Sequence, residues 1–226
     1  MNTRFFITAD GSHTLYNEAL NAHYHSVHGA LQESQHIFID LGFKEALRRR
    51  SDQLPGFATP LTVFEMGFGT GLNALLTLHE AEKAKIPVHY AAVEAYPVTE
   101  AESWQLNYDS LFQTEGLALL HRAGWGEPVP LSPYFTLEKH PATLQDFTTP
   151  LRFDAVYYDA FAPEVQPELW TREIFEKIAL WLNPGGNLTT YCSKGYVQRH
   201  LKAAGFTVEK HPGPAWKREV LRAIRP

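Results

Sequence analysis

Three glycines alternate with single residues in Glu65-Met66-Gly67-Phe68-Gly69-Thr70-Gly71, and this stretch runs directly into Leu72-Asn73-Ala74-Leu75-Leu76. The residues just before it, 61–65, form a short apolar run typical of a buried strand. Glycines let a backbone turn sharply and approach a ligand closely, and a helix N-terminus presents unpaired N–H groups to an anion. The stretch therefore predicts a strand, a ligand-binding loop and a helix, in that order.

The spacing of the glycines separates two classes of nucleotide cofactor. A dinucleotide-binding fingerprint places its third glycine at position 72, where this chain has Leu72, so the pattern is acidic-x-Gly-x-Gly-x-Gly instead. The anion at the loop is then a carboxylate rather than a pyrophosphate. This pattern indicates S-adenosylmethionine, with Glu65 placed to accept from its amino group.

Short apolar strands alternate with helical stretches from residue 61 onward, which predicts an α/β fold with a mostly parallel, Rossmann-like sheet and helices on both faces. We expect seven strands, at residues 61–65, 88–94, 134–137, 155–159, 187–191, 207–209 and 220–224, and helices at residues 72–83, 99–111, 167–182 and 195–204. Residues 1–60 follow another pattern, with a hairpin around Asp10-Gly11 and a helix over 43–50. We predict that they form an extension packed on a core domain of residues 61–226.

Composition excludes several classes of protein. The 226 residues carry a formal net charge of −5, so any nucleic-acid contact has to be a local patch. No stretch approaches the ~20 apolar residues of a membrane span. The single cysteine, Cys192, cannot form an internal disulfide, so we expect a cytoplasmic protein. The histidines lack the spacing of zinc ligands, and we expect no metal.

Two further carboxylates follow predicted strands, where ligands of parallel sheets bind. Glu94 lies beyond the loop at close to the ~20-residue offset at which an acid holds ribose hydroxyls. Asp159 ends the fourth strand and precedes Ala160-Phe161-Ala162-Pro163. A primary amine is protonated at neutral pH, with a pKa near ~10.4, and only its lone pair attacks a methyl sulfonium. We therefore predict that Asp159 orients the amine and handles its proton, while Phe161 stacks on a base.

Several runs, in order, resemble the methyltransferase part of the bacterial MnmC family. They are Asp10-Gly11-Ser12-His13-Thr14-Leu15-Tyr16, Tyr24-His25-Ser26, His28-Gly29-Ala30, the glycine stretch at 65–73, Tyr158-Asp159-Ala160-Phe161-Ala162-Pro163, Pro184-Gly185-Gly186 and Lys217-Arg218-Glu219. The resemblance implies a class I S-adenosylmethionine-dependent methyltransferase. Its implied substrate is 5-aminomethyl(-2-thio)uridine at the tRNA wobble position, which it converts to the 5-methylaminomethyl form, with the anticodon stem-loop as partner.

The resemblance also suggests which residues act. Cofactor binding is expected at Glu65, Gly67, Phe68, Gly69, Thr70, Gly71, Asn73, Glu94 and Asp159. Substrate contacts are expected at Tyr24, His25 and Phe161, with Lys194, Lys217 and Arg218 on RNA phosphates. Bifunctional MnmC enzymes carry an oxidoreductase domain after this one. This chain ends at Pro226, so we expect a stand-alone form, and we also expect a monomer. The family's Gly-Asp after the third strand is missing around Lys139-His140, which leaves the adenine contact unassigned, and Ala160 stands where Gly is common.

Other interpretations remain open on the sequence alone. Asp159 is also suited to capping a helix, and the charged residues to facing solvent. The same chemistry also fits a methyltransferase for a small-molecule or protein amine, to which a negative net charge is no obstacle. A nicotinamide-dependent oxidoreductase and a non-catalytic RNA-binding module are the more distant alternatives, because Leu72 disfavours the first and the retained carboxylates disfavour the second.

Overall fold

An eight-stranded sheet lies at the centre of the computed structural model, which describes residues 3–53, 59–214 and 216–226. The strands along the chain are β1 (Thr3–Ile7), β2 (His13–Asn17), β3 (Ala22–His23), β4 (Leu61–Met66), β5 (Val88–Val93), β6 (Pro128–Ser132), β7 (Phe135–His140), β8 (Phe153–Tyr158), β9 (Leu182–Thr190), β10 (Thr207–Pro212) and β11 (Glu219–Ile224). The central sheet has the order β10-β11-β9-β8-β4-β5-β7-β6, and β1-β2-β3 form a separate antiparallel sheet.

The helices cover both faces of the central sheet. They are α1 (Ala30–Ser34), a π-helical continuation (Gln35–Phe43), α2 (Lys44–Gln53), α3 (Leu72–Ala84), α4 (Glu100–Ser103), α5 (Tyr108–Phe112), α6 (Gly116–Arg122), a 3-10 turn (Pro167–Leu169), α7 (Arg172–Trp181) and α8 (Gly195–Ala203). One buried apolar cluster joins α3 and α6 to the sheet, and a second joins α7 and α8 to its other face. The predicted α/β architecture with a mostly parallel sheet is confirmed.

The sheet contains all seven predicted strands and one that the sequence analysis missed. Strand β6 pairs antiparallel with β7 at the edge of the sheet. Its prolines, Pro128 and Pro130, disguise it, because proline cannot donate to a ladder and is tolerated only at an edge. The seven-stranded sheet predicted from the sequence is therefore corrected to eight strands.

The predicted helix over residues 99–111 is interrupted, and its chain continues as α4, α5 and the unpredicted α6. The interruption has a tertiary cause at Asn107. Its side chain accepts from the backbone N–H of His13 at 2.9 Å and donates to the carbonyl of Gly11 at 2.9 Å. These bonds attach Asn107 to the N-terminal hairpin, a contact that local sequence patterns do not contain.

The N-terminal residues pack directly on the central sheet. The predicted hairpin is present, with Ile7 opposite His13, and the predicted helix over 43–50 is part of a longer helical segment, Ala30 to Gln53. Phe38 from this segment lies 5.4 Å, centroid to centroid, from Tyr157 of β8. The boundary at residue 60 stays a prediction, and residues 54–58 next to it lie outside the described residues.

No helix in the described ranges is long and apolar enough to cross a membrane. Over the same residues, no group of three or more His, Cys, Asp and Glu side chains is arranged to hold a metal ion.

Candidate functional site

The glycine loop between β4 and α3 adopts a backbone that glycine alone tolerates easily. Gly67, Gly69 and Gly71 have φ values of +88°, +50° and +79°. A Cβ on Gly67 would lie 3.3 Å from the backbone carbonyl oxygen of Asp159, and one on Gly71 would lie 3.2 Å from Nε2 of His121. The three glycines are therefore required both by left-handed backbone geometry and by close packing against neighbouring elements.

Three carboxylates meet at the carboxyl ends of the central strands. Glu65 ends β4, Glu94 follows β5 and Asp159 follows β8, and these three strands are neighbours with β4 in the middle. All three side chains line one cavity of about 360 Å³. The strand order reverses at β4, because the chain continues to β5 and β7 on one side of it and to β8 and β9 on the other, and doubly wound sheets bind ligands at such a point.

A single amide connects two of these carboxylates. Nδ2 of Asn73, in the first turn of α3, donates to Oε1 of Glu65 and to Oδ2 of Asp159, each at 2.9 Å. Burial raises the pKa of Glu65 well above its usual range and raises the pKa of Asp159 to about 7, while the Asn73 bonds oppose both shifts. Asp159 therefore changes protonation near neutral pH.

Two buried acceptor atoms at this bridge are unused. Oε2 of Glu65 and Oδ1 of Asn73 have no hydrogen-bond partner within the described parts of the chain. Leaving such atoms unpaired costs about 1–3 kcal/mol each, more for a charged group. A ligand that brings N–H donors to this end of the cavity recovers that cost.

Glu94 fixes the loop to the end of β5. Its two carboxylate oxygens accept from the backbone N–H groups of Gly69 and Tyr96, both at 2.9 Å. Burial raises the pKa of Glu94, and these two hydrogen bonds oppose the shift. Each oxygen keeps a second lone-pair position, so Glu94 remains able to accept from vicinal hydroxyls.

Tyr24 and His25 reach the site from the N-terminal segment. The ring of Tyr24 lies edge-to-face on Phe161 with centroids 5.1 Å apart, and burial raises the pKa of Tyr24 to about 12. His25 contacts Thr14 through Nδ1 at 3.2 Å and Thr70 through Nε2 at 3.4 Å. Burial lowers the pKa of His25 to about 4, so this side chain is neutral at physiological pH.

The three predicted phosphate-binding cations occupy different places. Lys217 lies in the cavity, where its Nζ donates to Glu33 and sits 4.4 Å from the ring centroid of Tyr191. Lys194 forms an ion pair with Glu164. Arg218 is exposed and has no charged partner among the described residues. The structure thus brings Lys217 together with the carboxylates and places Lys194 and Arg218 outside the cavity lining.

Glu33 and Tyr191 also line the cavity, and the sequence analysis did not single them out. Glu33 belongs to the N-terminal helix, outside the strand ends at which ligand residues were sought. Tyr191 directly follows β9, and this position at the end of a strand is the sequence signal that would have predicted it as a site residue.

Strand β7, which corresponds to the third predicted strand, carries a buried cation, Lys139. It lies near the place where the resemblance to the MnmC family led us to expect a Gly-Asp pair. Lys139 is 0% exposed, and its Nζ donates to the carbonyls of Leu120 and His121 at 2.8 and 3.0 Å. It also lies 4.6 Å from the ring centroid of Trp125, and burial lowers the pKa of Lys139 to about 8. Lys139 therefore binds the last carbonyls of α6. Buried and partly exposed residues alternate along β7, and Phe135, Leu137 and Lys139 share the buried face. This alternation is the sequence signal from which the burial of Lys139 could be predicted.

A doubly wound sheet with a glycine loop after its central strand, and carboxylates at the adjoining strand ends, is the fold of class I S-adenosylmethionine-dependent methyltransferases. Residues 141–226 match the family described as S-adenosyl-L-methionine-dependent methyltransferase. The cofactor is S-adenosylmethionine. The unpaired acceptors of Glu65 and Asn73 fit the donors of its amino group.

The fold is similar along its whole length to a solved relative. The crystal structure of MnmC2 from Aquifex aeolicus matches with a TM-score of 0.77 and 23% identity, covering 100% of this chain and 72% of that chain. The expected resemblance to the MnmC methyltransferase is confirmed at the level of the fold. The crystal structure of DesVI from Streptomyces venezuelae is a more distant match, with a TM-score of 0.48 and 12% identity over 87% of this chain and 92% of that chain.

Proposed function

We propose that this chain methylates the primary amine of 5-aminomethyl(-2-thio)uridine at the wobble position of tRNA. The observation that carries the proposal is the carboxyl group of Asp159, which has a pKa of about 7 and lies beside the cofactor loop in a cavity lined by Tyr24 and Phe161. The fold shared with MnmC2 and the sequence runs that resemble the MnmC family support this substrate.

The cofactor supplies an electrophilic methyl group on a sulfonium. Asp159 accepts from Asn73 through Oδ2, so Oδ1 is available to the substrate amine. In its ionised form, Asp159 holds the amine by a hydrogen bond and aims the lone pair at the methyl carbon. The substrate arrives as an ammonium, so the ionised Asp159 would accept one proton from it and pass that proton to solvent, which frees the lone pair; the product nitrogen then carries the methyl group in place of that proton.

The electrostatics of the cavity suit this reaction. Glu65, Glu94 and Asp159 place acceptor groups around a site where a sulfonium and an ammonium both carry positive charge. Fixed acceptors in a site that excludes water stabilise such charge without reorganising during the reaction. The rings of Tyr24 and Phe161, which pack edge-to-face on each other, line the cavity and offer a surface for a base from a single-stranded anticodon loop.

The test is methylation of defined RNA. The purified chain, labelled methyl donor and an anticodon stem-loop carrying 5-aminomethyluridine are incubated, and the nucleosides are separated by mass. We expect a gain of one methyl group on that nucleoside. Asp159→Asn is expected to lower kcat by about 10²- to 10⁴-fold, because it removes the proton acceptor. Its Kd for the methyl donor should stay within a few-fold of wild type.

Asp146→Asn is the matched control, because Asp146 is exposed and contacts Thr143 away from the cavity. It should methylate at the wild-type rate. Turnover by Asp159→Asn close to that of the control would remove Asp159 from the mechanism. Absence of methyl transfer to the RNA, with transfer to a free amine, would favour a small-molecule or protein amine as substrate, which the net charge of −5 accommodates.

We also propose that the N-terminal segment, through residues that the structure describes, contributes to the substrate site of this enzyme. Tyr24, His25 and Glu33 come from this segment and line the cavity together with residues of the core domain. A cytoplasmic location and a monomeric state remain predictions.

A further inference from the structure

An ion pair in the cavity wall has no part in the reaction described above. Nζ of Lys217 donates to Oε1 of Glu33, and the backbone N–H of Ser26 donates to Oε2 of Glu33 at 3.3 Å. The side chains of Lys217 and Glu33 are only 27% and 10% exposed. The pair is therefore largely buried, and it lines the same cavity as Asp159.

The pair is close enough to Asp159 to act on it. Burial is the main reason for the raised pKa of Asp159, but the Glu33 charge raises it further and the Lys217 charge lowers it. The ring of Tyr191 lies under Lys217, and its hydroxyl donates to the carbonyl of Ala160, the neighbour of Asp159, at 2.9 Å. Glu33, Lys217 and Asp159 therefore form one charged wall of the cavity. Its acceptors are the carboxylates of Glu33 and Asp159, and its donor is the ammonium of Lys217.

A buried ion pair such as Lys217 with Glu33 is expected to add little to the free energy of unfolding. Removing two charges from water costs several kcal/mol per ion, and the mutual attraction often does no more than offset this. The two residues also come from distant parts of the chain, α1 and the connection between β10 and β11. Polar groups held at a cavity wall instead discriminate between ligands, because an unmatched ligand leaves them unpaired.

We propose that Lys217 and Glu33 read the edge of the pyrimidine ring next to the reacting amine, an inference that rests on the proposed function. A uracil ring presents the O4 acceptor beside its C5 substituent and the N3–H donor beyond it. The ammonium of Lys217 keeps N–H groups for O4 after bonding to Glu33, and the Glu33 oxygens keep lone pairs for N3–H. Asp159 meets the amine on C5. The donor and acceptors of this wall thus complement the three groups along one edge of the substrate.

Cytosine reverses this pattern. It presents an exocyclic amino donor at C4 and an acceptor at N3, where uracil has an acceptor and a donor. Against the same wall, the amino group would face an ammonium and N3 would face a carboxylate. The wall therefore selects uracil and 2-thiouracil, which share O4 and N3–H, and rejects cytosine.

The experiment compares two stem-loop RNAs that differ only in the reacting nucleoside, 5-aminomethyluridine or 5-aminomethylcytidine. Wild type should prefer uridine by at least about 100-fold in kcat/KM. Lys217→Met and Glu33→Gln should each lower kcat/KM for uridine by about 10- to 100-fold, the range for a lost hydrogen bond to a charged group. Kd for the methyl donor, measured by calorimetry, should stay unchanged.

The double variant Glu33→Lys with Lys217→Glu keeps an ion pair but exchanges donor and acceptor, so it separates recognition from folding. It should lose the preference for uridine while its Tm stays near that of wild type. Lys210→Met, which breaks an exposed pair with Glu219, is the control and should behave as wild type.

The possible results separate this inference from the proposed function. Equal methylation of both RNAs by wild type, or an unchanged uridine preference in the exchanged pair, would overturn the role of Lys217 and Glu33 and leave the proposed function standing. Methylation of neither RNA by wild type would overturn both.

Discussion

Asn73 shows how one side chain sets the chemistry of two others. Its amide donates to Glu65 and Asp159 at once, and both hydrogen bonds favour the ionised carboxylates against the effect of burial. Asp159 is left with a pKa of about 7, where a group is able both to accept and to release a proton at neutral pH. Asn73 is therefore a positioning residue that acts through Asp159.

Changing Asn73 should move the pH profile of the enzyme. Wild-type kcat/KM is expected to rise with pH through about 7, as Asp159 loses its proton. In Asn73→Ala the hydrogen bond that lowers the pKa of Asp159 is gone, so the midpoint should shift upward. Profiles of kcat/KM for methylation of the stem-loop RNA from pH 5 to 9 measure this.

Thr77→Val is the control for this shift. Thr77 lies one turn further along α3, is buried, and bonds to the carbonyl of Asn73 and to the hydroxyl of Tyr157 rather than to the carboxylates. Its midpoint should match wild type. An unchanged or lowered midpoint in Asn73→Ala would show that Asn73 does not tune Asp159.

At the scale of elements, the loop from β4 to α3 is held by its neighbours as much as by its own geometry. Gly67 and Phe68 both donate from the backbone to the carbonyl of Val93, at 3.0 and 3.3 Å, and Gly69 donates to Glu94. The loop is therefore fixed to the end of β5. Such anchoring holds the loop and Glu94, which we propose to bind the cofactor, in one arrangement before a ligand arrives.

Gly71 and Gly11 allow backbone strain to be separated from packing. Both have positive φ, +79° and +83°, but a Cβ on Gly71 would meet three side chains at 3.2–3.3 Å, whereas one on Gly11 would meet nothing within 4 Å. We expect Gly11→Ala to lower the free energy of unfolding by about 1–2 kcal/mol from backbone strain alone. Gly71→Ala should lower it by about 2–5 kcal/mol, because overpacking adds about 1–3 kcal/mol.

Urea unfolding of the two variants, followed by circular dichroism, makes this comparison. Equal losses of stability in the two variants would mean that the surroundings of Gly71 relax around the added methyl group.

At the scale of the whole molecule, the proposed RNA substrate requires a local set of cations on an acidic protein. The formal net charge is −5, and Lys217 and Lys194 are engaged with Glu33 and Glu164. Arg218 is next to Lys217 in sequence, is exposed, and has no charged partner in the ranges that the structure describes. It is the best placed of the three predicted cations to contact a phosphate.

The salt dependence of RNA binding tests that contact. Arg218→Gln should weaken stem-loop binding and reduce the slope of log K against log salt by about 0.7 to 1, the contribution of one phosphate contact. Lys85→Gln, at the end of α3 away from the carboxyl ends of the strands, should leave the slope unchanged. Equal slopes for wild type and Arg218→Gln would exclude this residue from phosphate binding.

Local patterns determined much of this protein in advance. Apolar runs placed the seven predicted strands, and the glycine spacing predicted the loop and its cofactor, because period and backbone freedom are properties of neighbouring residues. Strand ends also predicted Glu65, Glu94 and Asp159 as one site, since parallel strands end at a common edge. Pro128 and Pro130 hid the eighth strand, because only its edge position tolerates them.

Tertiary structure decided what depends on residues far apart in the chain. The break at Asn107 comes from a hairpin more than ninety positions away, and the ion pair of Lys217 with Glu33 joins the two ends of the sequence. Burial raises the pKa of Asp159 and exists only after folding. The same is true of the hydrogen bonds that Asn73 donates to two carboxylates. Such contacts and burial depend on the complete packing of the chain, so the type of cofactor was readable from the sequence while the raised pKa of Asp159 was not.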